Sequence, residues 1–181
     1  TEVHAWSIGD RVCALLSGGG YAEQVVVPQT QVLPVPRGLS LQEAAALPEV
    51  FATAALNLKF EADLQPNESV LLHAGASGVG TAAIQLCKAW GNTVYVTAGS
   101  EQKIQRCLEL GAAEGLNRHQ DTFASHVKLW TQGRGVDVIL DPVGGSYLAE
   151  NQKALAPKGR LILIGLLGGR HASLDLGHLL I

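Results

Sequence analysis

The stretch HAGASGVGTAAIQL, residues 73–86, constrains this chain more than any other part of it. Two glycines and a serine separate the strand-like run SVLLHA (69–74) from the helix-like run GTAAIQLCKAW (80–90), which opens on a third glycine, Gly80. A glycine turn in that position either cradles a phosphate at the start of the helix or simply ends a strand.

Spacing narrows the first possibility. Gly75 and Gly80 meet the glycine spacing of a Walker loop, but Thr81 stands where that loop needs its lysine. Short-chain reductases carry G-x-x-x-G-x-G and an active-site Y-x-x-x-K. Here the spacing is G-x-x-G-x-G, and Tyr21, Tyr95 and Tyr147 are followed four residues on by Val25, Gly99 and Asn151. What remains is a modified dinucleotide fingerprint, with Gly75 and Gly80 as its first and third glycines and Ser77 in place of the second. The first glycine permits the tight turn, Gly78 keeps bulk off the loop, and Gly80 brings helix close to strand. The amides at the helix start, around Gly78, Val79 and Gly80, face a pyrophosphate favoured by the helix dipole, and the Ser77 hydroxyl adds a donor.

The context is the one this fingerprint requires. TVYVT (93–97) precedes a helix capped by Ser100 and ended by Gly111, and Asp121 is placed to cap TFASHVKLW. VDVILD (136–141), helix-like SYLAENQKAL and strand-like RLILIG (160–165) follow. Strands alternating with helices at this spacing predict an α/β fold, a Rossmann-type parallel sheet with helices on both faces. Upstream of about residue 48 the style differs. Residues 11–36 are rich in Val, Gly and Pro in short runs, which predicts a β-rich segment, and Ser40 with Glu43 forms a capping box opening the helix LQEAAALP. The expected domains are therefore 1–48 and 49–181.

Composition excludes several function classes. Only 16% of the 181 residues are charged and the formal net charge is −3, so there is no broad attraction to nucleic acid or an anionic membrane. The run LILIGLLGG (161–169) is too short and glycine-rich to span a bilayer, so no membrane partner is expected. Cys13, Cys87 and Cys107 are odd in number and far apart, which fits a reducing, cytoplasmic location and no disulfide framework. The chain lacks methionine, and GHLLI opens an apolar element with no stop signal after it. It is expected to be an internal piece of a longer protein.

The cofactor is read at the end of the second strand of the sheet. An NAD site places Asp or Glu there to hold the ribose hydroxyls. This chain has Thr97-Ala98-Gly99-Ser100, with Glu101 already inside the helix and Lys103 beyond it. A small turn at Gly99 and Ser100 beside Lys103 suits a 2′-phosphate and hence NADPH, although Lys103 is equally readable as a solvated helix residue. Val143-Gly144 and Gly165-Leu166-Leu167 end two further strands, where main-chain groups can meet a nicotinamide ring or act as plain turns. Asp141 is expected to be a turn or cap residue, with catalysis as the alternative reading.

With these blocks in hand, GDRVCALLSGGGYAEQVVVP (9–28), LSLQEAAALPEVFATA (39–54), VLLHAGASGVGTAAIQL (70–86), VTAGSEQK (96–103), LGAAEGLN (110–117) and DPVGGSY (141–147), the chain resembles the zinc-free quinone oxidoreductases of the medium-chain dehydrogenase/reductase superfamily. The resemblance implies part of a GroES-like domain before the Rossmann domain, NADPH as cofactor, a small-molecule quinone as hydride acceptor and a homodimeric parent. It also implies that Thr53 contacts the cofactor, and it places Arg118 where the family has an adenosine-side tyrosine. No cysteine-rich lobe follows residue 12 and no thiol precedes Phe51, so no metal ligands are expected. His4, His73, His119, His126, His171 and His178 are scattered and are expected to be packing or surface residues. No residue is assigned a catalytic role. Two alternatives remain: an NADPH-dependent enoyl or alkenal reductase of the same superfamily, and a truncated NADPH-binding form without catalysis.

Overall fold

The structure is a computed structural model that describes residues 3–180, so the expected domain limits Thr1 and Ile181 lie outside the described residues. The chain divides into two compact units, one up to Ala52 and one from Thr53. In the first unit, β1 (Val12–Ala14) and β2 (Val32–Pro34) form a two-stranded antiparallel sheet with Cys13 opposite Leu33. These two strands of three residues each are the strand content of residues 11–36; the rest of that segment is a short 3-10 helix at Gln29–Gln31, turns and irregular backbone. Helix α1 (Leu41–Ala45) begins as expected: the Glu43 amide donates to Ser40 Oγ at 3.2 Å, and the Ser40 amide donates to Glu43 Oε2 at 2.8 Å. Pro48 does not end the helical stretch but opens α2 (Pro48–Ala55), because a proline at the first helical position lacks only an N–H that would have no partner there. The break between units falls inside α2.

The second unit is a five-stranded, wholly parallel sheet. Its strands are β3 (Ser69–Leu72), β4 (Thr93–Ala98), β5 (Glu114–Asn117), β6 (Val136–Asp141) and β7 (Leu155–Leu163), in spatial order β5-β4-β3-β6-β7. The connecting helices are α3 (Gly78–Trp90), α4 (Glu101–Leu110), α5 (Phe123–Trp130) and α6 (Leu148–Ala154). Helices α3 and α4 pack together, as do α5 and α6, giving the two covering layers. Every residue of β6 is buried, as a central parallel strand covered on both faces must be. Alternation along the strands then divides the core. Leu71, Tyr95 and Ile139 point to the side of Phe123, Val127 and Ala154. On the other face a Cβ on Gly115 would stand 2.6 Å from Ile104 Cγ2 and 3.0 Å from Val96 Cγ2, so glycine lets α4 lie close on the sheet.

Two elements depart from the sequence reading. The N-cap of α5 is Thr122 rather than Asp121, because the Asp121 carboxylate turns back to accept the Thr122 amide at 2.7 Å. Strand β7 starts at Leu155, five residues before the expected RLILIG; a register shift opposite Val136 to Val138 and a positive φ of 63° at Lys158 absorb the interruption by Pro157 and Gly159. Among the described residues no helix is long and apolar enough to cross a membrane.

Candidate functional site: a cleft over five strand ends

The strand order reverses at β3: the chain moves outward through β4 and β5, then returns to place β6 on the other side of β3. Open α/β sheets bind ligands at such a switch point, beyond the carboxyl ends of the strands. A cavity of about 520 Å³ lies there, lined by residues that follow all five strands. Ala74, Ala76 and Ser77 come after β3, Thr97 to Gly99 and Lys103 from β4 and its turn, and Arg118 and His119 from β5. Val143, Ser146 and Tyr147 come after β6, and Leu167 and Gly168 after β7.

The glycine loop is built by close backbone approach. The Gly75 amide donates to the Thr97 carbonyl at 2.9 Å, and a Cβ on Gly75 would stand 2.7 Å from Val96 Cβ. Ala74 adopts a left-handed φ of 52°, an unfavourable state for a residue with a Cβ, to turn the chain out of the strand. A Cβ on Gly80 would lie 2.5 Å from the carbonyl oxygens of both Ala74 and Gly75, so the helix can start against the loop only without a side chain there. Ser77 caps α3, its Oγ accepting the Gly80 amide at 3.1 Å. The amides of Gly78 and Val79, in the first turn, have no intrahelical acceptor and are available to an anion.

At the turn between β4 and α4, Ser100 caps α4 by accepting the Lys103 amide at 3.3 Å. Gly99 has open space: its nearest neighbour to an added Cβ is Arg118 Nε at 3.7 Å. The Arg118 amide donates to the Ala98 carbonyl at 2.9 Å, which carries the β5–β4 pairing one residue further and sets the guanidinium at the cleft. Its Nε lies 3.4 Å from His119 Nε2, and its charge favours the ionised form of the Tyr147 phenol. Burial pushes the Tyr147 phenol up, against the pull of Arg118. Glu101 is exposed and is not part of the cavity wall.

The opposite wall is two loops zipped together. Gly168 donates to the Val143 carbonyl at 2.7 Å, Leu167 to Pro142 at 3.2 Å, and Gly145 to Gly169 at 2.8 Å. Gly144 has φ 79°, and a Cβ on Gly165 would stand 2.6 Å from the Pro142 carbonyl oxygen, so both glycines are required by this pairing. The Asp141 carboxylate accepts the Val143 amide at 2.6 Å and the Gly144 amide at 3.2 Å; it is the turn cap that the sequence left as one of its roles.

Of the residues singled out from sequence, Ser77, Gly99, Lys103, Arg118, Val143 and Leu167 line the cleft. Gly75, Gly78, Val79, Gly80, Ser100, Gly144, Gly165 and Leu166 lie beside these in the same loops and shape the backbone without forming the wall. Thr53 lies in α2, its carbonyl accepting Asn57 Nδ2 at 2.8 Å, and is not among the lining residues. Thr97, His119, Ser146 and Tyr147 line the cleft without having been singled out. The signal for Tyr147 and Ser146 was present, since both belong to the DPVGGSY block, whereas His119 had no pattern to mark it.

A parallel sheet with a glycine turn between its switch-point strand and helix, and a cleft over the strand ends, defines a dinucleotide-binding domain of the dehydrogenase type. Residues 78–181 match the family model described as zinc-binding dehydrogenase, and the chain belongs to that family, within the medium-chain dehydrogenase/reductase superfamily. It is 44% identical over 163 residues, 88% of its length, to the highly reducing polyketide synthase azaB of Aspergillus niger, of which it spans 6%. Among solved structures, the CurK enoyl reductase is 37% identical with a TM-score of 0.85, covering 92% of this chain and 50% of that one. The quinone oxidoreductase of Thermus thermophilus, also solved with NADPH, is 41% identical with a TM-score of 0.78, covering 87% and 51%. The chain thus spans about half the length of these two structures.

The family's name implies zinc, but the described residues do not fit it. Among them no three His, Cys, Asp or Glu side chains are grouped to hold a metal ion, and Cys13, Cys87 and Cys107 are each free. A dinucleotide does fit: Gly75 and Gly80 let the loop close tightly against Val96 and the Ala74 carbonyl, and Ser77 at the start of α3 lines a cleft that holds no carboxylate at the β4 turn.

Proposed function

We propose that the chain holds NADPH in this cleft and forms the cofactor-binding part of a reductase acting on a carbon conjugated with a carbonyl group. The observation that carries the cofactor choice is the β4 turn, where Thr97, Ala98 and Gly99 line the cleft with no carboxylate, beside Lys103 and Arg118. Neither cation enters an ion pair among the described residues. An acid there would hold the ribose diol of NADH, whereas two cations in its place favour a 2′-phosphate.

On this reading Gly75, Ser77, Gly78, Val79 and Gly80 take the pyrophosphate, Gly99, Ser100, Lys103 and Arg118 the adenosine phosphate, and Val143, Gly144, Gly165, Leu166 and Leu167 the nicotinamide side. When bound, the reduced nicotinamide supplies the hydride. The protein's part is to hold reactants in near-attack alignment, which removes a large entropic share of the barrier.

Two acceptors share the required chemistry. Similarity to a polyketide synthase and to the CurK enoyl reductase favours an enoyl thioester; similarity to the Thermus quinone oxidoreductase favours a quinone. Fluorescence titration of the chain with NADPH and NADH tests the cofactor, and tighter NADH binding would refute it. Steady-state turnover of the intact protein on an enoyl thioester and on a naphthoquinone then ranks the acceptors.

A further inference from the structure

Four buried polar side chains run beneath the cleft in one connected chain. Thr97 Oγ1 lies 2.9 Å from His73 Nδ1, His73 Nε2 lies 2.8 Å from Asn151 Oδ1, and Asn151 Nδ2 donates to Asp141 Oδ2 at 2.8 Å. Asp141 in turn accepts the Val143 and Gly144 amides. All four side chains are at most 3% exposed. The His73 ring is held edge-on between Phe123 at 4.6 Å and Tyr147 at 4.7 Å, which fixes its plane. Burial lowers its pKa and keeps it neutral, despite the opposing pull of Asn151 and Asp141.

A neutral ring has one donor and one acceptor, so the direction of the chain follows. Asn151 gives its amide N–H to Asp141, which leaves its oxygen to accept from His73 Nε2–H. His73 Nδ1 is then an acceptor, and the Thr97 hydroxyl must donate to it. Every link points toward the Asp141 carboxylate.

The ends of this chain are two walls of the cleft. Thr97, next to the last residue of β4, lines the cavity; Val143, held by Asp141, lines it from the end of β6. His73 and Asn151 do not line it. The chain laces together the carboxyl ends of β4, β3 and β6 through α6, across the switch point. An apolar set of the same shape would fill this space with less desolvation cost, so the polar links are best explained by the geometry they fix.

We propose that Thr97, His73, Asn151 and Asp141 form a positioning relay that sets the spacing of the β4 and β6 walls and thereby the affinity of the cleft for the dinucleotide. The inference rests on the NADPH reading above. His73→Phe keeps the ring's bulk between Phe123 and Tyr147 but removes both links, whereas His73→Gln keeps an amide donor toward Asn151. Three measurements test it: folding by circular dichroism, NADPH affinity well below the melting temperature, and hydrogen exchange of the Val143 and Gly144 amides.

The folded His73→Phe variant, which loses both links, should bind NADPH at least about tenfold more weakly and exchange the two amides at least about tenfold faster, with His73→Gln recovering much of both. A folded His73→Phe variant with unchanged affinity and exchange overturns the relay, because a purely structural role would lower only the melting temperature. If His73→Phe does not fold, Asn151→Leu is read in the same way, and failure of both to fold overturns the relay in favour of a simple stability role. If the unmodified chain does not bind NADPH, the cofactor reading fails, while faster amide exchange in the variants still supports the relay.

Discussion

Ser77 and Gly80 fix the start of α3 together: the Gly80 amide donates to Ser77 Oγ at 3.1 Å, while an added Cβ on Gly80 would stand 2.5 Å from two backbone carbonyl oxygens. Backbone atoms cannot swing aside as a side-chain tip can. Gly80→Ala should therefore cost about 1–3 kcal/mol of stability by overpacking and reduce NADPH binding below detection. Gly99→Ala is the contrasting change, because its nearest neighbour is at 3.7 Å and the backbone there is not left-handed. Its stability should stay within about 0.5 kcal/mol of the parent. Denaturant titration of the two variants checks the contrast, and equal losses would contradict the steric account.

Lys103 and Arg118 approach the same end of the cleft from α4 and from the end of β5. If they hold a 2′-phosphate, Lys103→Ala and Arg118→Ala should each weaken NADPH by about tenfold, the size of a charge-assisted hydrogen bond, and leave NADH almost unchanged. Parallel titrations with the two nucleotides read the difference directly. Equal losses for both would mean that these side chains support the adenosine or the fold rather than the phosphate.

The parts legible in the sequence were those whose cause is local. The glycine loop, the Ser77 and Ser100 caps and the wholly buried β6 all depend on residues within a few positions of one another, and each was expected from pattern. The buried relay was not, because its links join residues 24, 78 and 10 positions apart and no periodicity marks such pairs. His73 therefore read as one scattered histidine among six. The misplaced α5 cap and the early start of β7 have nearby causes, but ones that compete: Asp121 chose its neighbour's amide, and a bulge carried the strand across Pro157 and Gly159.

The cysteines offer a chemical test of the layer formed by α3 and α4, which carry Cys87 and Cys107. Burial pushes the Cys87 thiol up to about 12 and raises that of Cys107, so at neutral pH neither supplies the thiolate that reacts with a disulfide reagent. Cys13 is half-buried. Treating the native chain with an aromatic disulfide reagent at pH 8 should modify one thiol quickly, and all three only after denaturation. Rapid reaction of Cys87 or Cys107 in the folded chain would show that the layer over β3 and β4 opens readily.

Acid stability should depend on two carboxylates on the side of the sheet opposite the cleft. Arg160 grips Glu68 in a bidentate pair, Nη2 to Oε2 at 2.6 Å and Nη1 to Oε1 at 2.8 Å, and its Nε donates to the Ala62 carbonyl at 2.9 Å. The pair joins β7 to the entrance of β3, across 92 residues of sequence. The hydrogen bond from Arg160 holds the Glu68 carboxyl below its usual range, against some opposing desolvation. Burial pulls Asp137 upward, but Arg134 and the Ser69 amide and hydroxyl more than offset it, and its pKa is also lowered. A carboxylate with a depressed folded pKa contributes stability that is fully present above its unfolded pKa, and that stability is lost as pH falls through the folded value. Unfolding free energy should thus fall gently below about pH 6.5, where the unfolded chain protonates His73 and the buried ring does not, and more steeply below about 4.5 as the unfolded chain takes up protons that Glu68 and Asp137 resist. Glu68→Gln should flatten part of that acid slope, and Arg160→Met should cost about 1–3 kcal/mol at neutral pH by leaving Glu68 without its partner. Urea titrations at half-unit intervals between pH 3 and 7 measure both effects. An acid slope identical in the parent and in Glu68→Gln would show that the pair does not couple protonation to folding.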